Sequence, residues 1–293
     1  MKLGQLYEEA VKCGISRDPR KNKAAIKSFE DSAILYGRPD TEINRIMVGI
    51  DIEVPELLLA DRLRSESGLD LVIAHHPEGR SYAGLHEVMR LQVDVLVQAG
   101  VDPAVAKDLL DERMQEVARR VMPGNLMRPV DAARLLDMPF INLHTPADNH
   151  VASFLEKLFA KEKPQRVQDI VDILMEVPEY NLADKELNGG PKIILGNPRR
   201  DAGKILLEMT GGTEGNKEVY DKLYKAGIRT LVSMHLSEEH FKKVQDANLN
   251  VVIAGHISSD TLGINLLLDR LEIKAKQKFQ VLDCSGFRRI TRN

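Results

Sequence analysis

The 293 residues are 43% apolar and 29% charged, with 41 Lys and Arg against 44 Asp and Glu and a formal charge of −3. That is a globular composition with enough chain to bury a substantial core, and it advertises no basic face for nucleic acid or anionic lipid. The two cysteines, Cys13 and Cys284, lie near opposite ends, which excludes a zinc ribbon or a disulfide framework and points to a reducing, cytoplasmic setting.

Residues 1–14 lack the apolar stretch of a signal peptide, and no run approaches the roughly 18 apolar residues of a membrane span. Leu3, Leu6, Tyr7, Ala10 and Val11 repeat at helical spacing, and Gly14 closes that helix. Residues 16–27 are polar and basic and read as a loop, with a helix starting near Lys21. The next clear unit begins at Ile43. A strand over 46–50, a helix over 55–64 with Pro55 in its first turn, and a strand over 69–74 make a parallel pair with a right-handed crossover.

The second of those strands runs into His75-His76-Pro77. Helices follow over 85–98 and from Asp102-Pro103, the latter with Val105, Leu109, Val117 and Val121 on one face. A shorter helix covers 129–136. A strand over 140–143 ends in His144-Thr145-Pro146-Ala147-Asp148, and a helix over about 149–159 comes next.

Residues 161–165 are polar, contain Pro164 and read as a linker. They divide the chain into a first unit, 1–163, with inserted helices at about 85–136, and a second, 164–293. The second unit reads as a helix over 167–174, a turn at 188–191, and strands over 193–195 and 204–209. Gly211-Gly212-Thr213-Glu214-Gly215 follows, then a helix over 217–225, a strand over 230–233, a helix over 238–247, a strand over 251–254 and an edge strand over 279–283. This alternation predicts an α/β fold of two similar three-layer α/β/α halves with largely parallel sheets. The helix after Asp260 can pack back onto the first half and intertwine the two.

Three strand ends carry ligand-type residues: His75 and His76, then Asp148, then His256 and Asp260. Gly255 breaks the last strand, and Ser258 or Ser259 is placed to cap the helix that follows. His256 and Asp260 are four residues apart, so a helical turn points both the same way. Alone, the pair reads equally as a histidine bonded to a turn carbonyl beside a capping carboxylate. The convergence of three strand ends favours a site, because open α/β folds gather ligand groups there. Pro77 is a reason for the chain to bend, which the adjacent His75 and His76 need in order to face one centre.

Imidazole and carboxylate without thiolate suit Zn, Mn, Fe or Ni. Five ligands with two carboxylates suit two divalent first-row ions better than one tetrahedral zinc. His144 and His150 are candidates to support the metals or touch substrate, whereas His86 reads as a solvated helix face. The 211–215 loop reads either as backbone N–H groups offered to an anion or as a plain β–α turn. Its spacing is not that of a P-loop.

The His-His-Pro, His-Thr-x-x-Asp and Gly-His-x-x-Ser-acid motifs, in this order, resemble the NGG-interacting-factor-three-like family over roughly residues 43–271. The resemblance implies a toroidal hexamer with a dinuclear metal centre, held here by His75, His76, Asp148 and His256 together with Asp260. Many members carry the description GTP cyclohydrolase 1 type 2, which implies a metal-dependent hydrolase acting on a small molecule such as a purine nucleotide. Two departures stand out. The acid is usually Glu, and Asp260 is one methylene shorter, which predicts unequal ion affinities and a tighter second site in Asp260→Glu. The stretch between His76 and Asp148 is also longer than in short bacterial members. A further family position, an acid and a histidine, matches Ser233-Met234-His235 and Glu239-His240 only loosely, and neither pair is assigned. The rival reading is a non-catalytic metal-dependent scaffold, with the inserted helices as its partner surface, or a metal chaperone.

Overall fold

A computed structural model describes residues 1–187 and 189–292. The turn at 188–191 begins at Asn188, outside the described residues. The apolar runs form two sheets. The first contains β1 (Ser32–Tyr36), β2 (Arg45–Gly49), β3 (Leu71–Ala74), β4 (Phe140–Leu143) and β9 (Gln280–Asp283), in the order β1-β4-β3-β2-β9. Only β1 runs antiparallel to its neighbour. The second contains β5 (Lys192–Leu195), β6 (Lys204–Glu208), β7 (Ile228–Ser233) and β8 (Asn250–Ile253), in the order β5-β8-β7-β6, with β5 antiparallel. The α/β class and the largely parallel sheets match the sequence reading.

Alternate residues of the strands face opposite layers. On the first sheet, Ile46, Val48, Leu71, Ile73 and Ile141 face α1 (Leu3–Arg17). Met47, Val72, Ala74 and Phe140 face α2 (Val54–Ser67) on the other side. Three short helices follow β3, namely α3 (Gly79–Ala83), α4 (Leu85–Val88) and α5 (Leu91–Ala99). The long α6 (Pro103–Val121) is capped by Asp102, which accepts the N–H groups of Ala104 and Val105. The shorter α7 (Arg128–Leu135) returns to the first sheet, where Ala133 packs beside α2.

The inserted helices bury their apolar faces against the second sheet. Leu96 of α5 and Ala106, Leu110, Met114 and Val117 of α6 share one core with Leu206, Leu231 and Val251. The apolar face of α6 is therefore rotated from the predicted one, and Val105 lies exposed. Its neighbour Ala106 takes the buried position, since the second sheet and not the helix's own periodicity sets the register.

The remaining helices are α8 (Thr145–Glu162), α9 (Val167–Met175), α10 (Pro178–Leu187), α11 (Tyr220–Lys225), α12 (Glu238–Asp246) and α13 (His256–Ala275). The long α8 and α13 lie between the sheets and feed both cores. Ala147 of α8 joins the first-sheet core, and Val151, Leu155 and Phe159 join the second. Leu262 of α13 joins the second-sheet core, and Ile264, Leu267 and Leu271 join the first. The chain thus returns after β8 to add β9 at the outer edge of β2.

Several boundaries differ from the sequence reading. The N-terminal helix runs through Gly14 to Arg17 because the glycine is there for proximity: a Cβ at Gly14 would lie 2.7 Å from Cα of Pro146. The helix expected near Lys21 is only a 3-10 turn at Lys23–Ala25, and β1 was not anticipated. α13 begins at His256, so Ser258 and Ser259 are inside the helix and do not cap it; Ser259 Oγ donates back to the Gly255 carbonyl at 2.6 Å.

Gly263 marks the close crossing of α13 over α8. A Cβ there would meet the Ala147 carbonyl oxygen at 2.7 Å and Val151 Cγ2 at 2.8 Å. Backbone cannot move aside as a side-chain tip can, so Gly263→Ala is expected to cost about 1–3 kcal/mol. A urea midpoint unchanged from the native protein would refute this.

Candidate metal centre

β3 and β4 lie side by side and parallel in the first sheet, and β8 belongs to the second. Their C-terminal ends bring His75, His76, His144, Asp148, His256 and Asp260 together. The bend expected before Pro77 is fixed by backbone hydrogen bonds: His75 N donates to Gly49 O at 2.9 Å and His76 N to Ile50 O at 3.0 Å.

Each of three imidazoles is held from outside by Nδ1. His75 Nδ1 lies 3.2 Å from the Leu143 carbonyl, His76 Nδ1 2.6 Å from Asp51 Oδ1, and His144 Nδ1 2.7 Å from Asp31 Oδ2. A ring that donates through Nδ1 keeps its Nε2 lone pair for the centre. His75 Nε2 is 3.4 Å from Asp148 Oδ1 and 3.4 Å from Asp260 Oδ1. His76 Nε2 is 3.4 Å and His256 Nε2 3.5 Å from Asp260 Oδ2. His144 Nε2 is 3.7 Å from Asp148 Oδ2.

Asp260 therefore sits between two ligand groups, His75 with Asp148 on one side and His76 with His256 on the other. Its Oδ1 faces one imidazole at 3.4 Å and its Oδ2 faces two at 3.4 and 3.5 Å. α13 starts two residues earlier than its predicted cap and carries the carboxylate inward, where it is 1% exposed.

Electrostatics follow from that burial. Desolvation alone would lower the pKa of His75 and His76, but the Asp260 carboxylate, with Asp148 beside His75 and Asp51 beside His76, outweighs it. The imidazoles are pushed up to about 10 and about 9. Burial opposes ionisation of Asp260, yet His75, His76 and His256 hold it far below the usual carboxylate range. His256, the most exposed of the set, is lowered by burial despite Asp260. Even so, His75 Nε2, Asp148 Oδ1 and both Asp260 oxygens are buried without a hydrogen-bond partner among the described residues.

His150 stands apart. It is buried with Nδ1 2.8 Å from the Pro146 carbonyl, and burial beside Arg17 and Arg270 lowers it to about 4. Two residues past Asp148 on a helix is the opposite side. His86 is bonded to Ala83 O and paired with Glu87.

Asp31, which the sequence reading did not single out, supports His144 from outside the cluster. Fully buried, it accepts from Thr145 Oγ1 at 2.6 Å as well as holding His144. Its only signal was an acid before an unrecognised edge strand. Glu208, also not singled out, lines a cavity that opens from the centre together with Glu214 and the unassigned His235. The His235 ring centroid lies 4.8 Å from that of His256.

No family model matches the chain, and no curated protein is similar to it. Solved structures are similar along nearly its whole length. A NIF3 superfamily protein from Sphaerobacter thermophilus has a TM-score of 0.77 and 29% identity, covering 95% of this chain and 97% of its own. Reduced HcgD from Methanocaldococcus jannaschii has a TM-score of 0.58 and 14% identity over 97% of each chain. TTHA1606 from Thermus thermophilus has a TM-score of 0.52 and 14% identity, covering 97% of this chain and 98% of its own. The latter two show a shared fold alone.

Proposed function

We propose that this member of the NIF3-like family is a metal-dependent hydrolase whose centre takes two divalent first-row ions, Zn, Mn, Fe or Ni. One observation carries the reading: four buried polar atoms of His75, Asp148 and Asp260 lack hydrogen-bond partners among the described residues. Each such atom costs about 1–3 kcal/mol when left unmet, and cations among them would meet all four. His75, Asp148 and Asp260 Oδ1 would hold one ion, with His144 beside Asp148. His76, His256 and Asp260 Oδ2 would hold the other. Ions so placed supply Lewis acidity and make water nucleophilic near neutral pH.

The chain's own part is orientation. Leu143 O, Asp51 and Asp31 fix three rings by Nδ1, and Asp260 stays ionised to receive cations. Asp31→Asn is expected to weaken metal binding about 10–100-fold, because the amide cannot accept from His144 and Thr145 as the carboxylate does. Competition against a chelating dye measures this, and unchanged affinity would remove Asp31 from the account.

For the scaffold reading, α5 and α6 bury apolar faces against the second sheet, while Met122, Met127 and Leu135 stay exposed as the surface it would use. A closed ring, most simply a hexamer, rests on the family resemblance, and a monomer by light scattering at micromolar concentration would dismiss it. Among the described residues no helix is long and apolar enough to cross a membrane. The deciding experiment combines elemental analysis with a hydrolase panel of esters, amides and nucleotides. Turnover lost on chelation and restored by Zn or Mn supports the enzyme, whereas metal that raises only the melting temperature defeats it.

A further inference from the structure

The cavity beside the centre measures about 860 Å³ including its mouth. One wall is the centre itself, through His144, Asp148, His256 and Asp260. The other is the C-terminal end of β6 with the loop after it, where Glu208 and Glu214 stand among Leu206, Met209 and Val219. His235 links the two walls, its ring centroid 4.8 Å from that of His256 and its Nδ1 3.6 Å from Glu214 Oε1.

No Lys or Arg is among the described residues that line this cavity. Four carboxylates and three histidines line it, so a phosphate ester or a triphosphate would meet no lysine or arginine there. The glycine loop does not compensate. Thr213 N is already given to the Gly211 carbonyl at 3.0 Å. Gln92 Nε2 donates to the carbonyls of Gly211 and Thr213, each at 2.7 Å, fastening the loop to α5. The loop also carries Glu214, whose Oε1 accepts the Ser237 N–H at 2.6 Å. Burial alone would raise that carboxyl, but His235, Ser237 and His240 pull it down to about 2. The loop therefore presents negative charge to the cavity and not an anion cradle.

Glu208 is the group left over. It is the last residue of β6, where parallel strands present ligand contacts. Its carboxylate makes no hydrogen bond or ion pair among the described residues, yet it is half-buried against apolar neighbours and faces the cavity. Burial, with the Glu214 charge adding, pushes it up to about 7. A carboxylate so placed is best met by two parallel N–H donors, which match its oxygens and hold it ionised.

We propose that the cavity binds a small phosphate-free ligand whose amidine- or guanidine-type N–H pair is received by Glu208. This narrows the substrate of the hydrolase and rests on that reading of the neighbouring centre. It also sets aside the nucleotide that the family resemblance implies, because beyond the centre the cavity has no Lys or Arg to receive phosphates and presents Glu214 instead. The N–H pair could belong to a heterocycle or to an acyclic guanidine, and the two sources are separable.

The test is a binding titration of the zinc-loaded native protein with isocytosine, agmatine, guanosine triphosphate and inorganic phosphate. Isocytosine, agmatine or both should bind, the heterocycle alone marking a cyclic ligand and agmatine alone an acyclic one. Glu208→Gln should weaken that binding at least tenfold with zinc content unchanged, and Glu208→Asp should keep more of it. 4-Pyrimidinone, which lacks the amino group, should bind at least tenfold more weakly than isocytosine. Binding of neither N–H probe, equal affinity in Glu208→Gln, or tighter binding of the triphosphate or of phosphate would each overturn the proposal. Binding through Glu208 with no turnover on the panel would sink the hydrolase reading and leave the ligand class. Phosphoester hydrolysis indifferent to Glu208→Gln would do the reverse.

Discussion

Asp260→Ala is expected to strip the centre of both ions, a larger loss than removal of any single imidazole. Its two oxygens face separate groups, Oδ1 toward His75 at 3.4 Å and Oδ2 toward His76 at 3.4 Å and His256 at 3.5 Å. Among the described residues no other is shared by both of the carboxylate-containing ligand groups. Removing it leaves one side with His75 and Asp148 and the other with imidazoles alone, and metal content should fall from as many as two equivalents to near none. His76→Ala, by contrast, is expected to remove the ion nearer the mouth first. Asp260→Glu reverses the expectation drawn from sequence. The native carboxylate already reaches both sides, and the residue is 1% exposed. The added methylene must overpack, at about 1–3 kcal/mol, so metal affinity should drop. Elemental analysis after gel filtration decides both, and two ions retained in Asp260→Ala would refute the shared-ligand account.

The metal-free protein should lose stability as pH rises from about 7 to about 10, while the metal-loaded protein should not. Both rings have folded pKa values, about 10 for His75 and about 9 for His76, above the ordinary 6.5. Burial works against those protons, and the carboxylates of Asp260, Asp148 and Asp51 retain them. Stability gained from a raised pKa is complete below the unfolded value and is lost as pH climbs through the folded one. Deprotonated rings would leave Asp260 buried with no positive partner. Divalent ions replace those protons, so metal uptake near neutral pH should release protons, and affinity should rise with pH over the same interval. Urea midpoints with chelator and with zinc, together with calorimetry in two buffers of different ionisation enthalpy, measure both effects. A flat metal-free midpoint across that range would contradict the charge state assigned to the centre.

Much of this architecture is legible in the sequence because it is written locally. The cores of β2, β3, β4 and β8 are short apolar runs, and His75, His76, Asp148, His256 and Asp260 each follow such a run. What escaped reading depends on distant partners. Asp31 is separated by 113 positions from the ring it holds, and nothing near it in sequence marks it as more than a loop acid. Gly14 looked like a helix stop until the Pro146 backbone was found against it. Val105 obeyed helical spacing, but the second sheet selected Ala106. Glu208 fell inside the strand read over 204–209, and its setting depends on His235, which follows a different strand.

The return of the chain to β9 after β8 sets a schedule for biosynthesis. β2 is made early and then waits for its outer neighbour until Gln280–Asp283 has left the ribosome. At ~5–20 residues per second this lasts roughly 10–50 s. Throughout that interval the first sheet has an open edge, a surface prone to pairing with other chains. His75, His76 and Asp148 also exist in the nascent chain without His256 and Asp260, so a metal captured then would have only part of its ligands and free access for competitors. A metal would therefore find its full ligand set only after α13 has closed over α8.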